Sequence, residues 1–189
     1  MSITRTTLGV AVLMGLFVPS ARAEDEPTRL TVAAGAAMSK TTWRGDAGAH
    51  STFELGLDPM PWLGFFFLSR LGYGLVDQRM LTYVSVGARF SMELTPGVRA
   101  FTRLSLAHQH EETLHVVQES PAGALFGIGD GIRHRGGGEL GLGLTFDIAE
   151  NDGILVYASV EGNGMFFPDP RGPTVYTAFS SALGLRYAL

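Results

Sequence analysis

The side chains best able to do chemistry in this sequence are five histidines: His50, His108, His110, His115 and His134. His108 and His110 flank Gln109 and precede Glu111 and Glu112, so on an extended strand the two imidazoles project from one face. Neutral imidazoles so placed can share a transition-metal ion, with His134 or Asp130 as further ligands. The expected metal set is His108, His110 and His134, although the spacing lacks the closed ligand pairs of structural zinc sites. Acyl hydrolysis would instead need a serine nucleophile, a histidine base and an acidic orienter. Ser105 is predicted to face inward and Ser120 falls in a loop, so no catalytic residue is assigned. The glycines of GIGDGI at 127–132 have no strand-to-helix context and read as a flexible loop rather than a phosphate cradle. No cofactor is expected.

A second set of charges recurs at alternate positions among small residues. Glu54, Glu93, Glu139, Asp147 and Glu161 share this phase with Arg70, Arg89, Arg99, Arg103 and Arg186. The elements that must carry them have a period of two. In 138–148, Leu140, Leu142, Leu144, Phe146 and Ile148 alternate with Glu139, Gly141, Gly143, Thr145 and Asp147. After Asp152-Gly153, which suits the positive φ of a hairpin turn, the pattern resumes over 153–163. The same alternation predicts strands at 29–39, 50–57, 64–75, 81–94, 98–109 and 174–189, eight in all. Several have the roughly 9–11 residues that a tilted strand needs to cross a bilayer. The connections after the second, fourth and sixth strands (DPMP, TPG and AEND) are tight. Those at 40–49, 110–136 and 164–173 are longer and the one at 77–79 is short, which suits an up-and-down barrel with unlike ends. The 136–138 glycines read as a bulge or the start of a strand.

Residues 1–23 read as a cleaved signal peptide: Arg5, an apolar run over 8–18, Pro19, then Ala21-Arg22-Ala23 as the cleavage site. One domain, 24–189, remains. Acidic residues outnumber basic ones, 18 to 14, and losing Arg5 and Arg22 takes the net charge to about −6, which argues against nucleic acid as a partner. The chain has no cysteine, so no disulfide framework closes the fold.

An eight-stranded barrel of this kind can be a soluble carrier with its apolar face inside, or a membrane barrel with that face outside. The polar face decides. In the first strand it is Thr, Ala, Gly, Ala and Ser, too small and too poor in charge for a solvated surface. The five acids and five arginines on this face match as pairs across a crowded interior. The apolar face is therefore read as meeting lipid.

On this pattern the chain resembles the small eight-stranded bacterial outer-membrane barrels, the OmpA-, OmpX- and OmpW-like proteins. Gly184, Tyr187 and Leu189 resemble the C-terminal insertion signal of such barrels, with Leu189 in place of the commoner Phe. The resemblance implies an all-β antiparallel up-and-down transmembrane barrel in a Gram-negative outer membrane, without a periplasmic C-terminal domain. It implies contact with lipid and lipopolysaccharide, insertion by the barrel-assembly machinery, and a monomer. Trp62, Phe65 and Phe67 at one end, and Phe166 and Phe167 at the other, are candidates for interfacial girdles. The function expected is non-enzymatic: a structural, adhesion or binding role through extracellular loops at 110–136 and 164–173. A lipid A deacylase or acyltransferase is the enzymatic alternative, but the deacylase family's His-x-Ser motif would require serine at position 110, which is His110. A narrow OmpW-like route for small apolar solutes is the third.

Overall fold

The computed structural model describes residues 27–41, 46–76, 78–169 and 171–189. The signal peptide read at 1–23 lies outside them. Eight strands form a closed barrel in sequence order: β1 (Arg29–Thr41), β2 (Ala47–Met60), β3 (Leu63–Gly74), β4 (Arg79–Thr95), β5 (Val98–Thr113), β6 (Arg133–Asn151), β7 (Ile154–Phe166) and β8 (Val175–Ala188). Each pairs antiparallel with its neighbours and β8 closes on β1, so no edge is left to aggregate.

One end, the turn end, carries the tight hairpins at 61–62, 96–97 and 152–153 together with both ends of the barrel chain. Asp152 and Gly153 take φ of 48° and 77° there, and Gly97 takes 79°, as expected of these turns. The pairing slips by a bulge beside each hairpin, at 57–60, 93–95 and 147–149. The first of these carries β2 through Asp58 and Pro59 to Met60, so the chain reverses at Pro61-Trp62, later than the DPMP break suggested.

The other end, the loop end, differs more from expectation. β5 and β6 stay paired as far as Glu111 and Arg133, so the supposed loop at 110–136 shrinks to the segment between Thr113 and Arg133. The polar runs HQHEET and RHRGGG look like loop by composition. Backbone pairing holds them extended, and the 136–138 glycines lie in regular register with no bulge. β1 and β2 likewise encroach on the expected loop at 40–49.

Within the shortened segment stand two single-turn helices, α1 (Leu114–Glu119) and α2 (Pro121–Phe126). Thr113 caps α1, Pro121 opens α2 where its missing N–H costs nothing, and Gly127 ends it at φ 69°. The pair lies against the outside of the wall, α1 on β4 and β5, with Gly127 closed onto the His110 ring.

The outer wall is apolar. Leu55, Phe65, Phe67, Leu104, Leu106, Leu140, Leu142, Phe179 and Leu183 are among its large exposed side chains. The inward set holds buried Thr31, Arg70, Ser85, Arg103, Glu139 and Glu161. A soluble carrier has these environments reversed, so the apolar-out phase is the one the chain adopts. No helix of the described residues is long and apolar enough to cross a membrane.

Candidate functional site

The bore is filled by a chain of ion pairs. Arg89 on β4 donates to Asp58 (2.8 Å) and to Glu54 (2.7 Å) on β2. Arg103 on β5 reaches the other Glu54 oxygen at 2.6 Å and grips Glu161 on β7 with two N–H groups. Each guanidinium fork thus ties strands that are not neighbours in the sheet. Toward the loop end, Arg70 donates to Glu139 at 2.7 Å, and the Tyr83 hydroxyl donates to the other oxygen of Glu139. Arg186 is held more loosely, 3.8 Å from both Asp58 and Asp147, with its guanidinium 4.3 Å from the Tyr157 ring centre. The void among Glu54, Arg70, Arg89 and Arg103 is only about 30 Å³, room for about two waters.

Glu54, Arg70, Arg89, Arg103, Glu139, Asp147, Glu161 and Arg186 therefore face the bore. Glu93 does not join them. It shares their phase, but β4 carries it past the end of the bore, where it is exposed opposite Arg99. Arg99 is half-buried at the turn-end mouth, beside Asp58, Ser91 and Arg186.

Asp58 is a member that sequence reasoning passed over, because the prolines beside it suggested a turn. A larger omission lies at the loop end. Glu111 accepts from Arg133 (2.7 Å), Arg135 (2.8 Å), Gln109 (2.8 Å) and the Tyr176 hydroxyl (2.9 Å). Arg135 lies 5.0 Å from the Phe167 ring centre and donates to the backbone oxygens of Asp169 (3.1 Å) and Pro173. Phe167 is fully buried, packed with Phe66, Leu68, Tyr83, Met165 and Tyr176 inside the barrel. It is a plug residue rather than a girdle, and only Phe166 faces outward. The phase of Ser105 continued through Gln109 and Glu111, and that of Glu139 continued back to Arg135 and Arg133, was the signal available. Beyond the plug, Arg171 bonds Asp169 at the exposed tip and holds its carboxyl well below the usual carboxylate range.

The histidines separate. His50 faces inward, its Nε2 2.7 Å from the Ser39 hydroxyl, and His115 is exposed on α1, 3.3 Å from Glu119. His108, His110 and His134 come together on the outer wall. His108 and His110 share the outward row of β5, and His134 stands directly across from His110 on β6. The Nε2 atoms of His108 and His110 are 2.9 Å apart, and Nδ1 of His134 is 3.5 Å from Nε2 of His108. One candidate ligand nitrogen from each ring lies within 4.8 Å of the others. None of the three is buried, and Asp130 is exposed outside the group. Ser105 points into the bore, 3.5 Å from Glu139, which leaves it on the opposite face of β5 from the imidazoles.

At the turn end, Tyr187 and Leu189 are exposed on the outside, and the Leu189 N–H donates to the Thr28 carbonyl at 2.8 Å. Gly184 faces the bore. A Cβ there would stand 2.4 Å from the Tyr157 ring, so only glycine leaves that ring its place.

Neither a protein-family model nor a curated protein matches the sequence. Solved structures do match the fold. Neisserial surface protein A (NspA) aligns with a TM-score of 0.54 at 15% identity, over 86% of this chain and 97% of its own. The N-terminal β-barrel domain of Pseudomonas aeruginosa OprF aligns at 0.52 and 16% identity, over 83% and 97%. Ail, the attachment invasion locus protein of Yersinia pestis, aligns at 0.53 and 14% identity, over 86% and 99%, in a structure with the heparin analogue sucrose octasulfate. The chain thus has the fold of the small eight-stranded outer-membrane β-barrels, with Arg–carboxylate pairs filling its interior.

Proposed function

We propose that the protein resides in the outer membrane of a Gram-negative bacterium and acts there without catalysis, as a structural or binding barrel. Its leader ends at Ala23, its apolar wall meets lipid, and its loop end faces outward. The observation that carries this reading is the closed bore. Ion pairs and the Phe167 plug occupy both halves of it, and a void of about 30 Å³ gives solutes no route. What remains for function is the outward surface: the rim, the exposed Arg171 with its partner Asp169, and the α1–α2 segment with Phe126 and Ile128 exposed. Ail, a barrel of the same fold, has been captured with a heparin analogue, which supports a binding role. Gly184, Tyr187 and Leu189 serve as the insertion signal read by the assembly machinery, and the barrel works as a monomer.

The test is the mass spectrum of lipid A from a Gram-negative host expressing the protein, with the barrel located in the same outer-membrane fraction. An unchanged spectrum is expected. An acyl chain lost or gained, and restored by His108→Ala, would make this a lipid-modifying enzyme and overturn the proposal.

A further inference from the structure

We infer that His108, His110 and His134 form a site for a divalent transition metal of the zinc class, set on the outer wall of the barrel near its loop end. This goes beyond a structural or binding role for the loops and does not depend on it.

The argument begins with placement. Alternation puts His108 and His110 on one outward row of β5, and the β5–β6 register sets His134 beside them without help from a flexible loop. All three ligands therefore stand on paired strands: His108 and His110 are laddered to β4 and β6, and His134 to β5. A tetrahedral ion with metal–nitrogen bonds of about 2.0–2.1 Å holds its ligand nitrogens about 3.4 Å apart. The observed separations of 2.9 Å and 3.5 Å bracket that value, so closing on an ion needs only small side-chain rotations. Three imidazoles and no carboxylate in the inner set suit Zn²⁺, Ni²⁺ or Cu²⁺ rather than Mg²⁺ or Ca²⁺, and leave the remaining positions to water.

Two neighbouring features point the same way. Glu112 continues the outward row beyond His110, yet it is only 1% exposed, and neither carboxylate oxygen has a hydrogen-bond partner among the described residues. Burial without such partners penalises the charge of this carboxylate, and a cation held at the adjoining triad would offset that cost. Gly127, at the end of α2, closes onto the His110 ring so tightly that a Cβ there would lie 2.2 Å from it. The α1–α2 segment thus limits how far that imidazole can swing, as a neighbour that orients a metal ligand does.

The experiment is a calorimetric titration of Zn²⁺ into the full barrel, purified in detergent without a polyhistidine tag. One equivalent should bind. His108→Ala, His110→Ala and His134→Ala should each weaken binding by at least about tenfold, the lower bound set by losses at residues that merely support a ligand. His115→Ala should leave binding unchanged. X-ray absorption of the zinc-loaded protein should show imidazole nitrogens at about 2.0–2.1 Å. The triad faces outward and holds no core contact, so each variant should still run as a folded barrel in an unheated gel. Absence of saturable binding to the folded protein, or equal affinity in His134→Ala, would overturn the inference.

Discussion

Arg70 and Glu139 face each other across the bore, both almost wholly removed from solvent, 2.7 Å apart. A buried pair of this kind makes a lopsided prediction. Arg70→Met leaves Glu139 charged and dependent on the Tyr83 and Ser105 hydroxyls, and should destabilise the barrel by about 3–5 kcal/mol. The double change Arg70→Met/Glu139→Leu removes the uncompensated charge, leaves the Tyr83 and Ser105 hydroxyls without their carboxylate partner, and should cost less than the single one. Urea unfolding of the two variants in the same detergent decides between this and independent contributions, for which the double variant would be the weaker. Most of the pairing was legible residue by residue, because Arg70, Arg103, Glu139 and Glu161 carry their phase in the sequence. Glu93 shows what phase alone misses. It alternates correctly but stands past the bore, and only the length of the β4–β5 hairpin beyond the barrel reveals that.

At the scale of elements, strands were legible wherever apolar and small residues alternate, and their ends were not. β5 and β6 outrun the readable pattern because their last turns of ladder are polar on both faces, with His108 and His110 outward, and Gln109 and Glu111 inward. β3 hides a different fact. Its run of three phenylalanines is apolar on both faces, so the inward packing of Phe66 and Leu68 beneath the loop-end plug could not be separated from the outward wall. Glu111 binds this polar extension together through Arg133, Arg135 and Tyr176. Glu111→Gln, which weakens both charge-assisted contacts, should let the upper β5–β6 ladder open while the rest of the barrel holds. Limited trypsin digestion of the folded protein should then cut after Arg133 or Arg135 in the variant and spare both in the wild type. Equal resistance in the two would mean that backbone pairing alone secures this extension.

For the whole molecule, the apolar wall and the charged interior have one joint consequence. Large side chains such as Leu106, Phe179 and Leu183 are each more than 60% exposed to whatever surrounds the barrel, and hydrocarbon is the surrounding that stabilises them. Eight strands closed without an edge, and cross-linked through the bore, should also resist unfolding by detergent alone. The direct measurement is expression in a Gram-negative host, followed by cell fractionation and comparison of heated with unheated samples on a detergent gel. The chain should be found in the outer-membrane fraction as a band whose migration shifts on heating. A folded protein released with the periplasm and soluble without detergent would contradict the proposed lipid contact of the apolar wall, and with it the proposed outer-membrane role.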